Sequence, residues 1–112
     1  MNNEQSHSAT PLRLIDRDLY LNGSEQPIRL RPLETRLLTT LLRYSNQTVS
    51  RATLMREVWQ TDFLDATRTL DVHIHWLRQK IEEDPNRPRR LVTIKGVGYC
   101  LVLDGQRRKG NR

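Results

Sequence analysis

Residues 67–101, TRTLDVHIHWLRQKIEEDPNRPRRLVTIKGVGYCL, decide the fold of this 112-residue chain. The spacing of apolar residues predicts a helix over residues 67–83, and two prolines in the basic loop that follows prevent its continuation. Two short apolar runs, residues 91–94 and 99–103, stand on either side of a glycine-containing tip at residues 95–98. That arrangement predicts a β-hairpin, so the order of parts is helix, basic loop and hairpin.

The predicted helix has two different faces. At about 100° per residue, four aliphatic side chains fall on one narrow stripe that predicts burial: Leu70, Ile74, Leu77 and Ile81. The opposite side carries Arg68, Thr69, Val72, Trp76 and Gln79, with His73 and Lys80 on one flank and His75 on the other. A solvated face would carry alternating charges, but this one has no acidic residue at its centre and two apolar groups in the middle. Such a surface suits contact with bases and phosphates.

The positive charge of the chain is concentrated after residue 67. The sequence holds 19 lysine and arginine residues against 13 acidic residues, for a formal net charge of +6. Residues 1–67 contain eight residues of each sign, whereas residues 68–112 contain eleven basic and five acidic residues. Residues 68–103 alone keep a surplus of three positive charges. This asymmetry predicts a polyanionic partner.

The sequence argues against several other classes of protein. No apolar run approaches the ~20 residues of a membrane span, and the polar start lacks the features of a secretion signal. Cys100 is the single cysteine, which fits a reducing, cytoplasmic compartment. No catalytic array or phosphate-cradling glycine loop is present, so the chain is not predicted to be an enzyme. His73 and His75 lie about 200° apart on the helix, too far around it to chelate one ion, so no metal or other cofactor is predicted.

The first half of the chain predicts a small antiparallel sheet followed by two helices. The strand-like pieces are residues 12–15, 19–21 and 28–30. The first helix is predicted over residues 32–44, with Pro32 in its first turn. The second is predicted over residues 51–59, with Ser50 as its N-cap.

One folded domain is predicted, because 112 residues suffice for one compact core. Residues 1–11 are polar and are interpreted as a flexible linker or leader. The domain itself spans residues 12–103, and residues 104–112 form a basic tail that is predicted to be disordered.

Two motifs carry a resemblance to a known family. They are Arg68-Thr69-Leu70-Asp71-Val72-His73-Ile74 and Thr93-Ile94-Lys95-Gly96-Val97-Gly98-Tyr99. On these motifs, residues 12–103 resemble the DNA-binding effector domain of OmpR/PhoB-type response regulators. The resemblance implies an α+β winged helix-turn-helix, with an N-terminal small antiparallel sheet, three helices and a C-terminal β-hairpin wing. It also implies sequence-specific binding of double-stranded DNA and regulation of transcription in a two-component system, with the third helix in the major groove and the wing in the minor groove.

The resemblance also implies which residues contact DNA. Phosphate contacts are implied for Arg51, Trp59, Arg68, Thr69, His73 and Arg78. Thr93 and Tyr99 offer hydroxyls to nearby phosphates. Lys95 is placed at the minor groove, and Lys80 flanks the recognition surface. The alternatives are a solvated helix face for Arg68, Thr69, His73 and Arg78, and an ordinary hairpin lysine for Lys95. Tyr99 could instead pack under the wing, and Trp59 could belong mostly to the core.

Three further contacts follow from side-chain chemistry. Val72 suits contact with a thymine methyl group, and His75 suits a phosphate or base contact. Trp76 has one donor and cannot make the bidentate guanine contact that an arginine makes, so packing on sugar or a thymine methyl is predicted, with a protein contact as the alternative.

The loop at residues 60–66 resembles the segment that contacts RNA polymerase, through its sigma or alpha subunit, in activators of this type. Asp62, Phe63 and Asp65 are the candidate residues, although Phe63 could simply anchor the loop. Binding of two copies to direct repeats is likewise implied by the family.

The chain departs from the family pattern in three respects. Arg31 replaces the usual capping threonine before the first helix, and Thr35 replaces a common phenylalanine. Trp76 stands where many members have arginine. The phosphorylated receiver domain is absent from this sequence.

Two other functions remain compatible with the sequence. One is a protein-interaction module in which Trp76 and Phe63 anchor an acidic partner. The other is nonspecific nucleic-acid binding, in which the basic tail supplies most of the affinity.

Overall fold

The computed structural model describes residues 12–60 and 67–103. The predicted leader (1–11), the basic tail (104–112) and the three candidate polymerase-contacting residues, Asp62, Phe63 and Asp65, lie outside the described residues. Within residues 12–60 and 67–103, none of the helices has the length and hydropathy of a membrane span.

The chain begins with the predicted antiparallel sheet. Its strands are β1 (Leu12–Ile15), β2 (Asp18–Leu21) and β3 (Ile28–Arg29), in the order β1-β2-β3. Leu19 on the central strand is fully buried, and it pairs with Leu14 on one side and Ile28 on the other. The sheet therefore closes one side of the core.

The first helix, α1 (Pro32–Arg43), packs a leucine-rich side into the core. Leu37, Leu38 and Leu41 are fully buried. Its start is stabilised without the usual threonine, because the backbone N–H of Arg31 donates to Oε1 of Glu34 at 2.8 Å. Pro32 occupies the first helical position, where a backbone N–H has no hydrogen-bond partner within the helix, so proline costs no hydrogen bond there.

The predicted second helix is irregular. It comprises α2 (Arg51–Leu54) and a π-helical turn (Met55–Trp59). The Ser50 hydroxyl accepts from the N–H of Thr53 at 3.1 Å, which confirms the predicted N-cap. Gln60 then takes a left-handed conformation (φ 61°) and ends the segment.

The third helix, α3 (Thr67–Ile81), buries the stripe predicted from its periodicity: Leu70, Ile74, Leu77 and Ile81 are at most 1% exposed. It ends two residues before the predicted end at Glu83. The reason is that Glu82 turns its carboxylate toward the following loop, where it accepts from the N–H of Leu91 at 2.7 Å. The guanidinium of Arg90 donates to the carbonyl of Ile81 and caps the helix.

The predicted hairpin is part of a three-stranded sheet. Strands β5 (Leu91–Ile94) and β6 (Gly98–Leu101) pair in antiparallel register, and β4 (Thr48–Ser50) pairs with the other edge of β6. Strand β4 was not predicted, because three residues give no periodic signal. The resulting order of sheet, helices and wing confirms the predicted winged helix architecture.

Candidate nucleic-acid interface

The outward face of α3 is open, as the proposed interface requires. Val72 is 37% exposed and Trp76 is 39% exposed, although both are large apolar side chains. Arg68, Thr69 and His75 are exposed on the same helix. Since the opposite side of α3 supplies the core, these residues form a surface that is free of the domain interior.

A row of aromatic rings extends this face toward the second helix. The ring centroids of Trp59 and His73 lie 5.2 Å apart at 78°, and those of His73 and Trp76 lie 5.0 Å apart at 58°. His73 Nδ1 is also 2.8 Å from the carbonyl oxygen of Thr69. The imidazole therefore lies between two indoles, and this packing orients Trp76 on the exposed surface.

The wing is joined to α3 by Arg78. Its Nε donates to the carbonyl of Leu91 and its Nη2 donates to Oγ1 of Thr93, both at 2.9 Å. Burial lowers the pKa of Arg78 from its usual value. At the tip of the wing, Lys95 and Val97 are exposed and Gly96 adopts a positive φ of 78° that permits the turn.

Asp71 joins three elements below the exposed face. Its Oδ1 accepts from the hydroxyl of Tyr99 at 2.6 Å and from the guanidinium of Arg51. Burial raises the pKa of Tyr99, and the hydrogen bond to Asp71 raises it further. The contacts of Asp71 hold β6 and α2 in one orientation relative to α3.

Lys80 is engaged inside the domain. Its Nζ lies 2.6 Å from Oε1 of Glu34, whose side chain is 1% exposed. Burial acts to raise the pKa of Glu34, but the backbone N–H of Arg31 and the Lys80 ammonium outweigh it, so the net pKa lies below the ordinary value. This ion pair ties the start of α1 to the end of α3.

Comparison with known proteins identifies the family. Residues 25–101 match the family described as "Transcriptional regulatory protein, C terminal". The chain belongs to this family. A probable transcriptional regulatory protein of Picosynechococcus is 46% identical over 74 residues, which are 66% of this chain and 30% of that protein. The alkaline phosphatase synthesis transcriptional regulatory protein SphR of Synechococcus elongatus is 38% identical over 90 residues, 80% of this chain and 35% of that protein.

Solved structures of the family share this architecture. The response regulator DrrB of Thermotoga maritima, described as an OmpR/PhoB homolog, superposes with a TM-score of 0.67 at 34% identity, covering 76% of this chain and 37% of that chain. The DNA-binding domain of AdeR, solved in complex with an intercistronic region, gives 0.66 at 25% identity, covering 81% and 93%. This chain is therefore an α+β winged helix of the transcriptional regulatory C-terminal family, and it spans about a third of the length of the two curated relatives.

The structure separates the predicted contact residues of this family member into two groups. The open group comprises Arg68, Thr69, Val72, His75 and Lys95. The engaged group makes side-chain contacts within the domain, and comprises Arg51, Trp59, His73, Arg78, Lys80, Thr93 and Tyr99. Trp76 belongs to both, because it is 39% exposed and also contacts His73. Tyr99 is 5% exposed, in agreement with the alternative that it packs under the wing.

Two residues that shape this surface could not be assigned a role from the sequence. Asp71 joins elements through partners 20 and 28 positions away in the chain. Arg31 departs from the family pattern, and its guanidinium lies over the ring of Trp76 at 5.3 Å. Positions 31 and 76 both depart from the family pattern, and this coincidence could have indicated that the two side chains are in contact.

The described residues contain no group of three His, Cys, Asp or Glu side chains that could hold a metal ion. Cys100 is buried, and burial raises the pKa of its thiol, so the reactive thiolate form is disfavoured.

Proposed function

We propose that this domain binds double-stranded DNA sequence-specifically and regulates transcription as the effector domain of a two-component response regulator. One observation carries the proposal: the face of α3 that turns away from the core is open and presents Val72 and Trp76 beside cationic side chains. Among the described residues, no carboxylate lies within 4.0 Å of the charged group of Arg68 or Lys95. Unpaired cations beside apolar groups suit phosphate and base contacts together.

In the proposed mechanism, one set of contacts positions the domain on the DNA and another set selects the sequence. Helix α3 enters the major groove, where Arg68, Thr69 and His75 contact the backbone while Val72 and Trp76 contact base edges. Lys95 reaches the adjacent minor groove from the wing. The engaged residues orient these groups, and Arg51, Trp59, His73, Arg78 and Thr93 add phosphate contacts. Tyr99, which is 5% exposed and donates to Asp71, holds the wing in place.

The family supports further proposals about the whole regulator. AdeR was solved on an intercistronic DNA region, which favours duplex DNA as the partner here. We further propose binding of two copies to direct repeats, control by a receiver domain, and a contact between the loop at residues 60–66 and the sigma or alpha subunit of RNA polymerase. These activities belong in the cytoplasm, where the DNA is.

Selection of random duplexes on the purified chain tests the proposed function. One enriched duplex motif, bound more tightly than a scrambled duplex of the same composition, is the expected result. The affinity is expected to fall steeply with salt, because bound counterions are released. Removal of residues 104–112 should preserve the preference for that motif. Loss of all binding on truncation would instead support nonspecific binding by the tail, and absence of duplex binding would support a protein-interaction module.

Trp76→Arg is expected to change the preferred sequence. An arginine at this position can make two hydrogen bonds to a guanine, which the indole cannot, and one good bidentate pair discriminates by about 1–3 kcal/mol. We therefore expect a new guanine preference at one position of the motif when the random library is selected on the variant. Val72→Ala provides a matched control on the same face, since it removes an apolar contact without adding donors. An unchanged motif for Trp76→Arg would contradict the proposed groove position of residue 76.

A further inference from the structure

Arg31 uses its backbone, and not its side chain, to start the first helix. Its N–H donates to Glu34, and its carbonyl accepts from the N–H of Thr35 at 2.9 Å and from the Thr35 hydroxyl at 3.0 Å. An arginine side chain has no acceptor, so it cannot replace the cap of a threonine. The exposed guanidinium of Arg31 is therefore available for another purpose.

The guanidinium of Arg31 extends to the recognition helix and lies over the indole of Trp76. Its Cζ atom is 5.3 Å from the centre of the ring system, within the range of a cation–π contact. His73 contacts the same indole, with centroids 5.0 Å apart. Trp76 therefore contacts both the guanidinium of the residue that precedes α1 and the aromatic row of the proposed interface.

The guanidinium of Arg31 makes no close ion pair with any described residue, although its charge helps to lower the pKa of the nearby Glu34. Arg31 and Trp76 line an open groove of about 330 Å³ together with Glu34, Gln79 and Lys80. Glu34 is paired with Lys80 at 2.6 Å, and among the described residues no carboxylate lies within 4.0 Å of the Arg31 guanidinium. Of the two described cations that line this groove, Lys80 has a close ion-pair partner and Arg31 does not.

We propose that Arg31 is a further DNA-contacting residue, which binds a backbone phosphate at the edge of the major groove while Trp76 supports the face of its guanidinium. A guanidinium can stack through its planar face and still direct its N–H donors in the plane toward phosphate oxygens. A lysine ammonium has no planar face to stack and cannot make the bidentate contact. The inference rests on the proposed function, because it places Trp76 in the major groove. It identifies a contact from the start of the first helix, at its N-cap, outside the recognition helix and wing.

Binding of the duplex selected on the wild-type chain, and of its scrambled counterpart, tests the inference. Arg31→Ala is expected to weaken binding to both duplexes by about the same factor, and to reduce the slope of log affinity against log salt by about one. Arg31→Lys should keep most of the slope but lose part of the affinity. Arg13→Ala is a matched control, since Arg13 stacks on Tyr20 at 4.8 Å in the N-terminal sheet, and it should change neither quantity.

The role of Trp76 is tested by combining the substitutions. If the indole carries the guanidinium, Arg31→Ala should weaken binding clearly less in a Trp76→Ala background than in the wild type. Additive losses would contradict the support by Trp76. If Arg31→Ala weakened binding of the selected duplex but not of the scrambled one, with an unchanged salt slope, Arg31 would make no phosphate contact. Binding of Arg31→Ala within about twofold of the wild type would also overturn the proposal. The wild-type preference tests the proposed function, whereas the ratio of variant to wild type tests this inference.

Discussion

Replacing Gly98 by alanine is expected to lower the free energy of unfolding by more than about 3 kcal/mol. Gly98 begins β6 and pairs with Ser50 on β4. A Cβ atom at this position would overlap the carbonyl oxygen of Val49 and lie 2.9 Å from the Cα of Ser50. Both obstacles are backbone atoms, so no side-chain rotation relieves the clash and the two strands must separate. Urea unfolding followed by circular dichroism measures the effect.

Gly96→Ala is the matched control in the same turn. Gly96 has a φ of 78°, but a Cβ there meets no atom within 4 Å. The substitution adds only conformational strain, for which about 1 kcal/mol is expected. If Gly98→Ala were no more destabilising than Gly96→Ala, the close packing of β4 on β6 would be contradicted.

The fold was predictable where local patterns determine it. The buried stripe of α3 follows from helical periodicity, and the cap of α2 follows from the hydroxyl of Ser50. Strand β4 was not predictable in the same way. Its three residues gain order only by pairing with β6, about fifty positions later in the chain, so no local pattern reveals it.

The sequence was sufficient to predict which face of α3 is exposed, but not which side chains near it are engaged in contacts within the domain. Periodicity placed Val72 and Trp76 on the open side of α3. It could not show that Lys80, on the flank of the same helix, meets a buried carboxylate 46 positions earlier in the chain. The same limit applies to Arg31, whose position over Trp76 depends on how α1 packs on α3. Tertiary packing therefore decides which cations remain available to a partner.

Glu34→Ala is expected to destabilise the domain by about 2–3 kcal/mol. The carboxylate accepts from the N–H of Arg31 at the start of α1, and it pairs with Lys80 at the end of α3. Its removal leaves both donors without this partner. The loss stays below the range for a fully buried ion pair, because the Lys80 side chain is 27% exposed and its ammonium can turn to water. Urea unfolding measures the change.

Two further variants distinguish the contribution of Glu34 as a helix cap from its contribution to the ion pair with Lys80. Glu34→Gln keeps an oxygen that can accept from Arg31 but removes the ion pair, so it should be less destabilising than Glu34→Ala. Arg43→Ala breaks an ion pair with Glu57 in which the arginine side chain is 58% exposed, and at most about 1 kcal/mol is expected. Equal effects of Glu34→Ala and Arg43→Ala would contradict the role of the buried carboxylate.

The same carboxylate predicts how stability depends on pH. The folded-state pKa of Glu34 lies below its ordinary value of 4.5, so unfolding is accompanied by proton uptake in the acid range. The stabilisation by ionised Glu34 is therefore fully present above pH 4.5 and is lost as the pH falls through the folded-state pKa. Glu34→Gln removes this contribution, because its amide does not titrate. The difference in unfolding free energy between wild type and Glu34→Gln should be constant near neutral pH and shrink on acidification, and a difference that stayed constant down to pH 3 would contradict the lowered pKa.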